Sequence, residues 1–86
     1  MKEQLISNIS QCLVNLDYPS VDITIQRPKS PEHGDFASNI ALVLAKPLGK
    51  NPREIATSIK TELQNSFSDD FDSIDIAGPG FINFRL

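Results

Sequence analysis

Eighty-six residues with 40% hydrophobic and 22% charged side chains describe one small domain, 1–86, of ordinary soluble composition. A net charge of −3 argues against broad electrostatic binding to nucleic acid, and a single cysteine excludes an internal disulfide and a cysteine-rich zinc site. No apolar run approaches the roughly 20 residues that span a bilayer and no signal pattern opens the chain, so a cytoplasmic location without a membrane partner is expected.

The periodicity predicts an amphipathic helix over 2–16. Leu5, Ile9, Cys12, Leu13 and Leu16 recur at helical spacing, with Lys2, Glu3, Asn8, Gln11 and Asn15 mostly on the other side. Cys12 lies on the apolar stripe and reads as core. Tyr18-Pro19-Ser20 breaks the helix, and Val21, Ile23 and Ile25 then alternate with Asp22, Thr24 and Gln26 as in a strand with one buried face. Residues 27–36 form a loop punctuated by two prolines and a glycine. His33 sits in it with no second His, Cys or nucleophile nearby, so it reads as a loop or capping residue.

The next helix is expected over Ala37 to Lys46, capped by Asp35 or Ser38. Ile40, Ala41, Leu42, Val43, Leu44 and Ala45 make it apolar almost all round, hence the most buried helix. Pro47 should end or kink it, with Gly49 at the C-terminal cap. Asn51-Pro52-Arg53-Glu54 is a strong helix start, and Ile55, Ile59, Leu63 and Phe67 descend one face from it at four-residue steps to about Asn65. A polar loop over 66–72 carries Asp69, Asp70 and Asp72; with Asp75 these form an acidic cluster that reads as solvated, with no metal site.

Ile74 and Ile76 alternate with Asp75 into a strand, which Gly78-Pro79-Gly80 links to the last one. Pro79 suits the second position of a tight turn and Gly80 the positive φ that a type II turn needs next. After the turn, alternation puts Ile82, Phe84 and Leu86 on one side and Phe81, Asn83 and Arg85 on the other. The first set is a core face. The second aligns an aromatic plane, an amide and a guanidinium: a ring to stack on an unstacked base, a donor–acceptor pair for its edge, and a cation for phosphate. The order of elements predicts an α+β domain, with about three helices packed on one face of a small antiparallel sheet.

Four blocks carry a resemblance. They are His33-Gly34-Asp35-Phe36-Ala37-Ser38-Asn39-Ile40-Ala41, then Leu44-Ala45-Lys46 with Leu48-Gly49, then Pro52-Arg53-Glu54-Ile55-Ala56, then Ile76-Ala77-Gly78-Pro79-Gly80-Phe81-Ile82-Asn83-Phe84. In this order and spacing they resemble the N-terminal domain of arginyl-tRNA synthetases over nearly the whole chain. The resemblance implies an accessory RNA-binding domain ahead of a class I catalytic core, touching the D-loop at the outer corner of an arginine tRNA. The aromatic and amide that meet an exposed D-loop base in that family carry over onto Phe81 and Asn83. Arg85 as a phosphate contact is an extension from strand geometry.

The ATP-binding signatures of that family, of the HIGH and KMSK types, do not occur in these residues. The resemblance therefore implies a piece of a longer synthetase whose absent core, with ATP and magnesium, would attach arginine to tRNA. These residues alone would need no cofactor and would not catalyse the reaction. Two rivals stand beside this reading. One is a protein-interaction module docking on a neighbouring domain without RNA contact. The other, a phosphate cradle at Gly78-Pro79-Gly80, lacks the following helix whose N-terminus such sites use.

Overall fold

The computed structural model describes residues 2–28 and 34–85. His33 and Leu86, and with them the expected loop role and the last core position, lie outside the described residues. Among the described residues three helices and four strands follow one another: α1 (Lys2–Asn15), β1 (Ile25–Gln26), β2 (Phe36–Ser38), α2 (Ile40–Leu48), α3 (Pro52–Ser66), β3 (Ser73–Ala77) and β4 (Phe81–Arg85), with a 3-10 turn at Ser68–Asp70.

The sheet is antiparallel throughout, in the order β1-β2-β4-β3. Its inner residues Ile25, Phe36, Ser38, Ile74, Ile82 and Phe84 are all buried, while the residues between them are half-buried or exposed. Helices therefore cover one face and leave the other to solvent, the expected α+β arrangement. α3 is the hub, touching α1, α2, β3 and β4. Ile55, Ala56, Ile59 and Leu63 on α3 are fully buried between the sheet and the other helices.

Local chemistry sets the helix ends. α1 closes with Asp17 at φ 60, the Asp17 amide donating to the Val14 carbonyl at 3.1 Å and Tyr18 to Leu13 at 2.9 Å. α2 closes the same way on Gly49 at φ 62, with Gly49 and Lys50 donating to Lys46 and Ala45 at 3.2 Å each. These paired bonds satisfy last-turn carbonyls. They also let α2 run one residue past Pro47, which sits in the closing turn rather than terminating the helix. At α3, the Asn51 side chain accepts from the Arg53 amide at 2.9 Å, the cap expected from Asn-Pro.

Three expectations are corrected. Residues 36–38 are a strand, not the approach to a helix, because they pair with β4 through Phe36↔Phe84, Ala37↔Asn83 and Ser38↔Ile82. Ser38 then receives the Ile40 amide on its hydroxyl at 3.2 Å, while Asp35 donates its amide to the Phe84 carbonyl at 2.7 Å. The strand expected over 21–26 pairs only at Ile25–Gln26, although its burial alternates as predicted. Asn8 is not on the wet side of α1. It is 3% exposed, donating to Asp70 at 3.1 Å and accepting from Gln4 at 2.9 Å, which ties α1 to the turn after α3.

Cys12 is fully buried and donates weakly to the Ile59 carbonyl at 3.7 Å. Burial, reinforced by the Glu62 charge, pushes its pKa up to about 12. At pH 8 that cuts the thiolate fraction about a thousandfold relative to an ordinary thiol. Native Cys12 should therefore resist iodoacetamide and become labelled in urea; rapid native labelling by mass spectrometry would contradict this packing.

Candidate nucleic-acid interface

The outer face is built on the β3–β4 hairpin. Its ladder runs Ser73↔Arg85, Ile74↔Phe84, Asp75↔Asn83, Ile76↔Ile82 and Ala77↔Phe81. Directly opposed residues share a face. Asn83 thus lies in a row with Asp75 on β3, Ala37 on β2 and Gln26 on β1. Phe81 and Arg85 lie about 7 Å to either side of it along β4.

Phe81, Asn83 and Arg85 therefore occupy one face, as alternation requires. Phe81 is 41% exposed, an unusual position for a large aromatic, and Asn83 is half-buried among its neighbours. Arg85 is exposed and already engaged in an interaction within the domain. Ile82 and Phe84 between them are fully buried, and the Phe71 ring meets the Phe84 ring at 5.6 Å between centroids. The outward residues are thus carried on a strand whose other side is locked in the core.

The turn differs in register from the type II arrangement expected. The Gly80 amide donates to the Ala77 carbonyl at 3.3 Å, so Gly78, not Pro79, is second in the turn. Gly78 has φ 56, and proline's fixed negative φ follows. That order of signs is the mirror of type II and matches the twist of a hairpin. Gly80, at φ 150, lies against the first turn of α3, where a Cβ would come within 2.8 Å of the Pro52 Cβ. Both glycines are required, for conformation at Gly78 and for conformation and space at Gly80.

Arg53 was not singled out by sequence as a site residue, yet its guanidinium donates to the Gly78 carbonyl. No local pattern announces this contact, which joins a helix start to a turn 25 residues on. Two other cations face aromatic rings: Arg27 lies over the Phe36 ring at 5.3 Å and Lys50 over the Tyr18 ring at 5.9 Å. With Asp75 beside Asn83, the centre of the face suits the edge and plane of a base better than a phosphate. The Gly-Pro-Gly turn leads into β4 rather than a helix, which removes the helix end on which a phosphate cradle depends. Among the described residues no group of three or more His, Cys, Asp or Glu could hold a metal, and no helix is long and apolar enough to cross a membrane.

A family model described as the arginyl tRNA synthetase N-terminal domain matches residues 2–86. An arginine–tRNA ligase of Thiobacillus denitrificans is 51% identical over 88 residues, covering all of this chain and 15% of that protein. One from Prosthecochloris aestuarii is 46% identical over 87 residues, covering all of this chain and 16% of that protein. Among solved structures, the Thermus thermophilus arginyl-tRNA synthetase superposes with a TM-score of 0.81 at 28% identity, over all of this chain and 14% of its own. The Plasmodium falciparum arginyl-tRNA synthetase, at 18% identity and a TM-score of 0.80 over 98% of this chain and 15% of its own, shares the fold.

Proposed function

The chain belongs to the arginyl-tRNA synthetase N-terminal domain family, and from that premise we propose that its outer sheet face recognises the D-loop at the outer corner of an arginine tRNA. The observation that carries this reading is the pairing of a 41% exposed Phe81 with Asn83 two positions on, held on a strand whose alternate residues are fully buried. Phe81 would stack on an exposed base and Asn83 would hydrogen-bond to its edge or ribose. Arg85 would then contribute at the flank only by leaving or sharing its partner within the domain.

The chain spans about 15% of the length of the arginine–tRNA ligases it matches. The ATP-dependent attachment of arginine to tRNA, with the magnesium that accompanies ATP, would belong to a class I catalytic core outside these residues. The domain's part would be to position the tRNA for that core, its partner on the same polypeptide. Nothing in this role requires a nucleophile or a cofactor here.

With a net charge of −3, and with Arg27 and Lys50 lying over aromatic rings, the domain has little general attraction for a polyanion. The 86-residue chain should therefore bind an arginine tRNA no more tightly than about micromolar, in fast exchange by NMR. The expected shifts centre on Phe81 and Asn83 and vanish with a tRNA whose D-loop is altered. Equal shifts with both tRNAs would overturn D-loop recognition. Silence at Phe81 and Asn83 with both would favour a surface that docks on a neighbouring protein domain.

A further inference from the structure

The geometry points to Arg53 as the residue that positions Phe81, acting through the Gly78 carbonyl. This rests on the base-stacking role proposed for Phe81, and adds a residue from another element to the reading surface.

The hairpin connection is weakly determined by its own chemistry. Two of its three residues are glycines at positive φ, and its internal hydrogen bond is long, 3.3 Å from the Gly80 amide to the Ala77 carbonyl. Glycine loses more backbone freedom on ordering than any other residue. Phe81 follows immediately, and no buried pocket fixes its ring, since 41% of the residue is exposed. Gly78 lies beside the ring: a Cβ there would be 3.8 Å from Phe81 Cδ2. The ring therefore rests beside Gly78, and whatever fixes Gly78 limits where the ring can lie.

Arg53 is suited to that task because its own backbone is held at both ends. Its amide is capped by Asn51 at 2.9 Å and its carbonyl accepts from the Thr57 hydroxyl at 2.8 Å. From this fixed base on α3 the guanidinium reaches the Gly78 carbonyl, while Pro52 beside it forms the shelf under Gly80. One helix turn thus supports both glycines of the hairpin, and the planar donor fork of arginine holds a carbonyl more directionally than an ammonium does. Arg53 is exposed, so water can replace it at Gly78 at little cost to the fold. What its loss removes is order in the turn, and binding must then supply that order.

The test uses the 86-residue chain and an unmodified transcript of an arginine tRNA. Arg53→Gln should move the unfolding midpoint by less than about 4 °C, as for an exposed substitution. In the free protein it should broaden the resonances of residues 78–81 and leave the core unchanged. It should weaken tRNA binding about two- to tenfold, with Arg53→Lys recovering part of the loss. The double variant R53Q/F81A should bind like F81A alone, and the salt slope of binding should not change. Additive losses, with a salt slope lower by about 1, would make Arg53 a direct phosphate contact and overturn the proposal. An unperturbed hairpin in free R53Q would overturn it as well. If F81A binds tRNA normally, the base-stacking reading fails, while the spectra of the free chain still decide whether Arg53 orders the turn.

Discussion

Phe81→Ala is expected to weaken binding of an arginine tRNA between about 5-fold and 150-fold, the range that follows from roughly 1–3 kcal/mol for a base stacked on an aromatic ring. The residue is 41% exposed, so its removal should change stability by little more than about 0.5 kcal/mol. Its strand partner Ala77 is small, which leaves the ring plane open on that flank. Two further substitutions separate stacking from bulk. Phe81→Tyr keeps the π face and should bind nearly normally, whereas Phe81→Leu keeps apolar volume without that face and should lose most of the affinity. Filter binding at fixed salt, with circular dichroism to verify the fold, makes the measurement. Leucine restoring full affinity would show that the residue contributes only apolar contact, and base stacking would be the wrong description.

The largest loss of stability should come from an inward position on the same strand. Phe84 is fully buried, pairs across the ladders with Phe36 and Ile74, and meets the Phe71 ring. Truncating a buried phenylalanine to alanine costs about 3–5 kcal/mol in transfer and cavity terms together. A chain of this length has roughly 4–13 kcal/mol in total. Phe84→Ala should therefore bring urea unfolding close to zero denaturant, or leave the protein partly unfolded at 37 °C. The contrast with Phe81→Ala is the informative result: outward and inward aromatics three positions apart on one strand, one acting on RNA and the other on the fold. A loss below about 1 kcal/mol for Phe84→Ala would contradict the packing that makes the outward face rigid.

These two expectations draw on the part of the structure that was most legible from sequence. Strand alternation depends only on local geometry, so the division of residues 81–85 into outward and inward sets survives folding intact. The Asn51 cap and the Gly49 closure are likewise local, fixed by side chains or φ values within a few residues. What escaped was non-local. Phe36–Ser38 is too short to announce a strand and becomes one by pairing with β4. Asn8 reads as solvent-facing until Asp70, 62 residues away, supplies its partner. Pro79-Gly80 on its own favours the ordinary type II register, yet with Ala77 paired to Phe81 the turn closes from the Gly80 amide to the Ala77 carbonyl in the mirror form. Arg53 belongs to the same group, its role being visible only once α3 and the hairpin are side by side.

The strand order β1-β2-β4-β3 has a consequence for how the domain is made. β4 is the last of these four strands to leave the ribosome, yet it sits inside the sheet and is the partner that both β2 and β3 require. Until residues 81–85 emerge, only β1 and β2 have each other to pair with, β3 has no partner, and the helices have no complete sheet to cover. Synthesis should thus carry the nascent chain, with its apolar helix faces waiting, to a late and nearly all-or-none collapse rather than a stepwise one. Nascent chains stalled before residue 81 should be protease-sensitive along their length, and protection should arise in one step soon after β4 clears the exit tunnel.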